Sequence, residues 1–115
     1  MFNYKNYSED QCDFVSIGSI DSVNTGERVF VTIDDRSIVV FGIAGEIFAI
    51  ADICSHDDGP IGDGEIAEYE ISCPRHGAKF DIRTGKAITL PAIIDIPAYP
   101  VRIRNGEIEI GIPRE

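Results

Sequence analysis

Short runs of alternating apolar and polar residues, separated by turn residues, organise this chain. Residues 12–17 alternate imperfectly and are expected to form a first strand. Residues 28–33 are rich in β-branched and aromatic side chains (Val29, Phe30, Val31, Thr32, Ile33), as strands are. Asp34-Asp35 then predicts a turn into a partner strand over 37–43, and Ala44-Gly45 a second turn into 46–51, which completes a meander. Further on, 68–72 and 78–82 read as strands, with Arg83-Thr84-Gly85 turning the chain after them. Ile94, Ile96 and Tyr99 are expected to reach the core, while Pro97 and Pro100 confine their segment to an edge or a loop. Near the end, 101–104 and 107–110 alternate apolar and charged residues around Asn105-Gly106, a strong two-residue hairpin signal. The charged face of this hairpin is expected to be solvated. Its second strand is a candidate for an exposed edge whose charges oppose self-pairing.

No stretch sustains an i, i+3, i+4, i+7 apolar pattern, so little helix is expected. Short strands at this spacing indicate an all-β antiparallel sandwich or barrel. Residues 1–11 are polar and aromatic with no period and read as an N-terminal tail, followed by a single domain over 12–115.

Composition narrows the function classes. A chain of 115 residues holds one core and not two. Its formal net charge of −10 argues against nucleic acid and anionic membranes as partners and favours one with a positive docking face. No apolar run approaches the roughly 20 residues of a membrane span, and the N-terminus lacks the apolar stretch of a secretory signal. A cytoplasmic location is expected.

The chemistry concentrates between Cys54 and His76. Cys54-Ser55-His56 is followed, after sixteen residues, by Cys73-Pro74-Arg75-His76. Both histidines of the chain and two of its three cysteines lie in these pairs. Gly59-Pro60 follows the first pair and Gly77 the second, which lets backbone pass close to something compact. The first pair follows the meander directly, and the second lies between strands 68–72 and 78–82, so both loops read as hairpin tips. Two thiolates and two imidazoles suit zinc or an iron–sulfur centre. One Cys and one His in each pair, in the same order, is the ligand pattern of a Rieske [2Fe–2S] centre, in which His replaces Cys on one iron. Zinc ribbons more often place Cys-x-x-Cys in one half. Cys12, far from both pairs, is expected to be a half-buried strand residue.

From these motifs, together with the placement of Arg83-Thr84-Gly85 and Leu90-Pro91, the chain resembles the Rieske-type ferredoxins of bacterial ring-hydroxylating oxygenase systems. The resemblance covers about residues 14–112. It implies an antiparallel β base with a small cluster-binding subdomain of two ligand loops. Cys54 and Cys73 would hold the inner iron of a [2Fe–2S] cluster, and His56 and His76 the outer, solvent-facing iron. The stretch around Pro91 resembles a third loop that covers the cluster. The high-potential Rieske proteins of the cytochrome bc complexes carry an additional Cys in each loop, forming a disulfide; here the second-loop position is Arg75, and Cys54 is the first loop's one Cys. They also carry Ser and Tyr hydroxyls that bond the cluster sulfurs, where this chain has Ala78 and Phe80. If each bond is worth roughly 1 kcal/mol more in the reduced state, its loss lowers a one-electron potential by about 40 mV.

The resemblance thus implies a low-potential one-electron carrier and not an enzyme. It would take electrons from an NAD(P)H-dependent flavin reductase and pass them to a terminal non-heme iron oxygenase, needing no small-molecule substrate site. Docking is expected near His56 and His76, over a rim of Gly59, Pro60, Arg75, Gly77 and Pro91, with Asp57 and Asp58 nearby. The same fold resembles the small subunit of assimilatory nitrite reductase, which is the alternative. A redox-sensing module and a zinc-stabilised structural domain are the remaining readings.

Overall fold

The computed structural model describes residues 9–23, 26–54, 59–75, 77–89 and 95–114. Among the described residues, ten strands run in chain order: β1 (Cys12–Ser19), β2 (Arg28–Ile33), β3 (Arg36–Ile43), β4 (Glu46–Ala51), β5 (Ile66–Ala67), β6 (Glu70–Ser72), β7 (Lys79–Asp81), β8 (Ala98–Tyr99), β9 (Val101–Arg104) and β10 (Glu107–Pro113). Helix is confined, among the described residues, to two short 3-10 turns. All pairings between strands are antiparallel.

The strands form three sheets, ordered β2-β3-β4-β8, β1-β10-β9 and β5-β6-β7. The four-stranded sheet is the middle layer. Ile38, Val40, Ala49 and Ala51 pack with Ile108, Ile110 and Ile112 of β10. Val39, Phe41 and Ile50 belong to a second cluster with Ile71 of β6, Phe80 of β7 and Ile82. This explains why β3 reads Ile38-Val39-Val40-Phe41 with no polar alternation: all four are fully buried, because both faces of the strand are covered.

Three two-residue hairpin turns set the register. Asp34-Asp35, Ala44-Gly45 and Asn105-Gly106 each place both central residues at positive φ (51° and 65°, 52° and 82°, 54° and 77°). That is the turn whose twist matches the flanking strands. The expected meander over β2, β3 and β4 is present, with Arg28 opposite Phe41 and Phe41 opposite Phe48. Pro97 and Pro100 flank β8, which is an edge strand, as a residue without an N–H requires.

Six expectations need correction. Glu68 and Tyr69 form a turn, not the start of a strand; Glu68 adopts φ 57°, and β5 pairs with β6 across it. The Cys54 loop is not a hairpin tip, because β4 and β5 lie in different sheets and the loop carries the chain between them. The β10 strand is not an edge: β1 covers one side and β9 the other. Nor is the charged face of the last hairpin simply solvated, since Arg102 lies 3.9 Å from the Phe14 ring centroid and 2.6 Å from Glu109, whose side chain is 17% exposed. Cys12 is buried in β1 rather than half-buried. Glu9–Gln11, expected within the tail, form a 3-10 turn, and the Arg114 N–H donates to the Gln11 carbonyl at 2.9 Å.

Candidate metal centre

The two cysteines of the paired motif meet in one apolar cluster. Cys54 follows β4 and is 0% exposed; Cys73 follows β6 and is 2% exposed. Both pack in the cluster that holds Ile61, Ile71, Ala78, Phe80 and Ile96. His56 and His76 lie outside the described residues, as do Asp57, Asp58, Leu90, Pro91 and Ile94.

Each loop is closed by its own backbone. The Cys54 N–H donates to the Gly59 carbonyl at 2.7 Å. The Cys73 N–H donates to Ala78 at 2.7 Å, and the Gly77 N–H returns to the Cys73 carbonyl at 2.9 Å. Gly77 has φ 77°, a conformation that glycine adopts without a Cβ penalty. The second loop is a true hairpin tip, with Ser72 opposite Lys79 and Ile71 opposite Phe80. The first loop is longer and is pinned at several points. Asp52 Oδ1 accepts the Ile61 and Gly62 N–H groups at 2.9 and 2.7 Å. Arg28 of β2 donates from Nη1 to the carbonyls of Gly62 and Gly64. Arg75, from the second loop, donates to the Pro60 carbonyl at 2.8 Å.

Asp52 and Arg28 were not singled out by sequence reasoning. An Asp directly after a strand and before a Gly-rich excursion is a usable signal for backbone capture. Arg28 carries no such signal, because its partners lie 34 and 36 residues away.

A third group of contacts anchors the segment after β7. Asp81 accepts the Arg83 backbone N–H at 2.8 Å and pairs with the Arg83 side chain at 3.0 Å. Arg83 also lies 4.4 Å from the Tyr69 ring centroid. Partial burial pushes the Asp81 carboxyl up, but the hydrogen bonds and charge of Arg83 outweigh it and hold it below its ordinary value. Asp95 accepts the Ala87 N–H at 2.7 Å.

The donors fit a sulfur-ligated centre. Cys54 and Cys73, neither in a disulfide, lie in one buried cluster, each at the mouth of a closed loop. The third thiol, Cys12, sits elsewhere, in the sheet with β10 and β9. Its burial pushes its pKa up against the opposing charge of Arg114, so it is held as an inert thiol.

Comparison with known proteins bears on the same residues. The family model for the Rieske [2Fe-2S] domain matches residues 13–100. The ferredoxin component of the naphthalene 1,2-dioxygenase/salicylate 5-hydroxylase systems of Ralstonia sp is 34% identical over 96 residues, covering 84% of this chain and 92% of that one. The ferredoxin component of the p-cumate 2,3-dioxygenase system of Pseudomonas putida is 33% identical over 105 residues, covering 90% and 89%. Among solved structures, the Sphingomonas yanoikuyae B1 ferredoxin superposes with a TM-score of 0.80 at 34% identity, covering 88% of this chain and 100% of that one.

Proposed function

This chain belongs to the Rieske [2Fe–2S] family, and from that premise we propose that it is the ferredoxin of a ring-hydroxylating oxygenase system. It takes one electron at a time from an NAD(P)H-dependent flavin reductase and delivers it to a terminal non-heme iron oxygenase. The observation that carries this reading is that Cys54 and Cys73, both buried and neither in a disulfide, lie in one cluster at the mouths of two closed loops in a chain related to ferredoxin components.

Cys54 and Cys73 would hold one iron of a Rieske-type cluster. His56 and His76 are assigned to the second iron on the sequence motif. When bound, the cluster supplies a one-electron couple. What the chain's own residues supply is a shell that changes little when the electron arrives. Ile61, Ile71, Phe80, Ile82 and Ile96 pack behind the cysteines and keep water from the thiolates. Close packing of this kind resists displacement, so little reorganisation accompanies reduction. Ala78 and Phe80 offer no hydroxyl to the sulfurs, which favours a low potential.

Partners dock on the rim of the two loops, around His56 and His76. Pro60, Arg75 and Gly77 are exposed there, with Gly59 partly so. Among the described residues no helix is long and apolar enough to cross a membrane. Three cysteines outside any disulfide support a cytoplasmic setting. The same reading treats residues 12–115 as one domain, supported by a family match over 13–100. The two relatives described above are ferredoxin components, which favours a carrier over a nitrite reductase subunit.

Anaerobic reductive titration, followed by absorbance and electron paramagnetic resonance, tests the proposal. The expected result is uptake of one electron per chain and the low average g value of an iron with nitrogen ligands. A colourless protein with stoichiometric zinc would overturn it.

A further inference from the structure

We infer that Arg75 is a positioning residue, a clamp that ties the second ligand loop to the first and holds Cys54 in place for the cluster; this rests on the iron–sulfur reading above. Arg75 lies two residues beyond Cys73, yet its side chain ends on the other loop. Its Nη1 donates to the Pro60 carbonyl at 2.8 Å. Its guanidinium lies flat against Gly59: a Cβ built there would stand 2.7 Å from both Cζ and Nη2, and 3.1 Å from Nε. A Cβ at position 59 would displace this guanidinium, whereas the backbone there, which is not at positive φ, makes no demand for glycine. The Gly59 carbonyl in turn receives the Cys54 N–H at 2.7 Å. A continuous path therefore runs from Arg75 through Pro60 and Gly59 to the backbone of Cys54.

The base of Arg75 is itself fixed, because the Cys73 and Gly77 N–H groups close the second loop beneath it. The second loop joins β6 to β7, and the first runs from β4 to β5, which pairs with β6; the Cys54 end leaves β4, which lies in the other sheet and has no strand pairing with β6 or β7. A side-chain tie across their mouths thus acts on the spacing between them. A planar guanidinium suits a bare glycine surface, and a lysine ammonium does not, although it carries the same charge.

The test uses the cluster-loaded protein, its Arg75→Ala, Arg75→Lys and Gly59→Ala variants, and the double variant. Iron release to a chelator is followed by bleaching of the visible absorbance. Arg75→Ala should release iron about fivefold faster, the weight of one net hydrogen bond. Arg75→Lys should fall with Arg75→Ala, because the plane and not the charge makes the contact. Gly59→Ala should do the same, and the double variant should be no faster than the worse single, since all break one contact. A local readout accompanies this: amide exchange at Cys54 should quicken in Arg75→Ala, while exchange in β3 stays unchanged. Wild-type release from Arg75→Ala, a lysine variant that behaves as wild type, or additive single variants would each overturn the clamp. The two readings fail separately. A wild-type chain that holds no iron–sulfur centre would overturn electron carriage, and unchanged exchange at Cys54 in Arg75→Ala would then overturn the clamp on its own.

Discussion

Two side chains behind the cysteines set the expected potential. Ala78 and Phe80 are both fully buried in the cluster that holds Cys54 and Cys73, and neither carries a hydroxyl. Phe80→Tyr and Ala78→Ser each add a donor where a reduced, more negative sulfur can use it. Each should raise the midpoint by about 40 mV, the equivalent of roughly 1 kcal/mol on a one-electron couple. Protein-film voltammetry of both variants decides this; an unmoved midpoint in both would remove the hydroxyl account. Asp81 gives a second prediction at this scale. Its folded pKa is depressed by Arg83 despite partial burial. The stability it contributes is therefore present above the ordinary carboxylate pKa and lost as pH falls through the depressed value. Asp81→Asn should lower the melting temperature at pH 7, and the gap from the wild type should close in acid. A gap that persists unchanged at low pH would mean that the contribution does not come from the Asp81 charge.

At the scale of elements, close approaches matter more than turn conformation. Gly85 and Gly106 share φ 77°. A Cβ at Gly106 would meet nothing within 4 Å, whereas one at Gly85 would fall 1.9 Å from the Ile96 carbonyl oxygen. Gly106→Ala should then cost only the left-handed penalty, about 1 kcal/mol. Gly85→Ala adds an overlap with backbone and should cost about 2 kcal/mol more. Chemical denaturation of the two variants checks the ordering, and equal losses would show that the Gly85–Ile96 approach relaxes freely. Gly85 also links the elements around the centre: the Ile96 N–H donates to its carbonyl at 2.8 Å, bringing the chain back toward β8. The turns themselves were legible only in part. Asn105-Gly106 and Ala44-Gly45 carry glycine at the second position, and Asp34-Asp35 carries two short polar residues that tolerate positive φ. Glu68 has no such mark, and Glu68-Tyr69-Glu70-Ile71 alternates polar and apolar residues as a strand does.

For the molecule as a whole, the formal net charge of −10 sets how partners arrive. If docking is steered, raising salt from low to about 0.3 M should slow electron transfer to a positively faced partner by about tenfold, because screening shortens the reach of the field. Stopped-flow rates that stay flat with salt would assign docking to shape and apolar contact instead. The described residues form two buried clusters, one on each face of the β2-β3-β4-β8 sheet. One packs β10 against that sheet. The other is continuous with the cysteines, so packing behind the centre and stability of the central sheet are coupled through Val39, Phe41 and Ile50. Substitutions there are expected to disturb both.

The amino-acid sequence by itself determined the strands of the meander, the last hairpin and the paired Cys/His motif. Those rest on signals within a few residues: β-branched alternation, turn dipeptides, and a ligand spacing that survives any arrangement of the rest. Tertiary structure alone decided that the Cys54 loop bridges two sheets, that β1 covers β10, and that Arg75 seats on Gly59. Each of these joins residues distant in the chain, as with Arg28 and Gly64, or Gly85 and Ile96. A local pattern says which face of a strand is apolar, but not which element will cover it. That choice is made when the whole chain closes around its cores, since only then does each apolar face and each buried N–H find the partner that satisfies it.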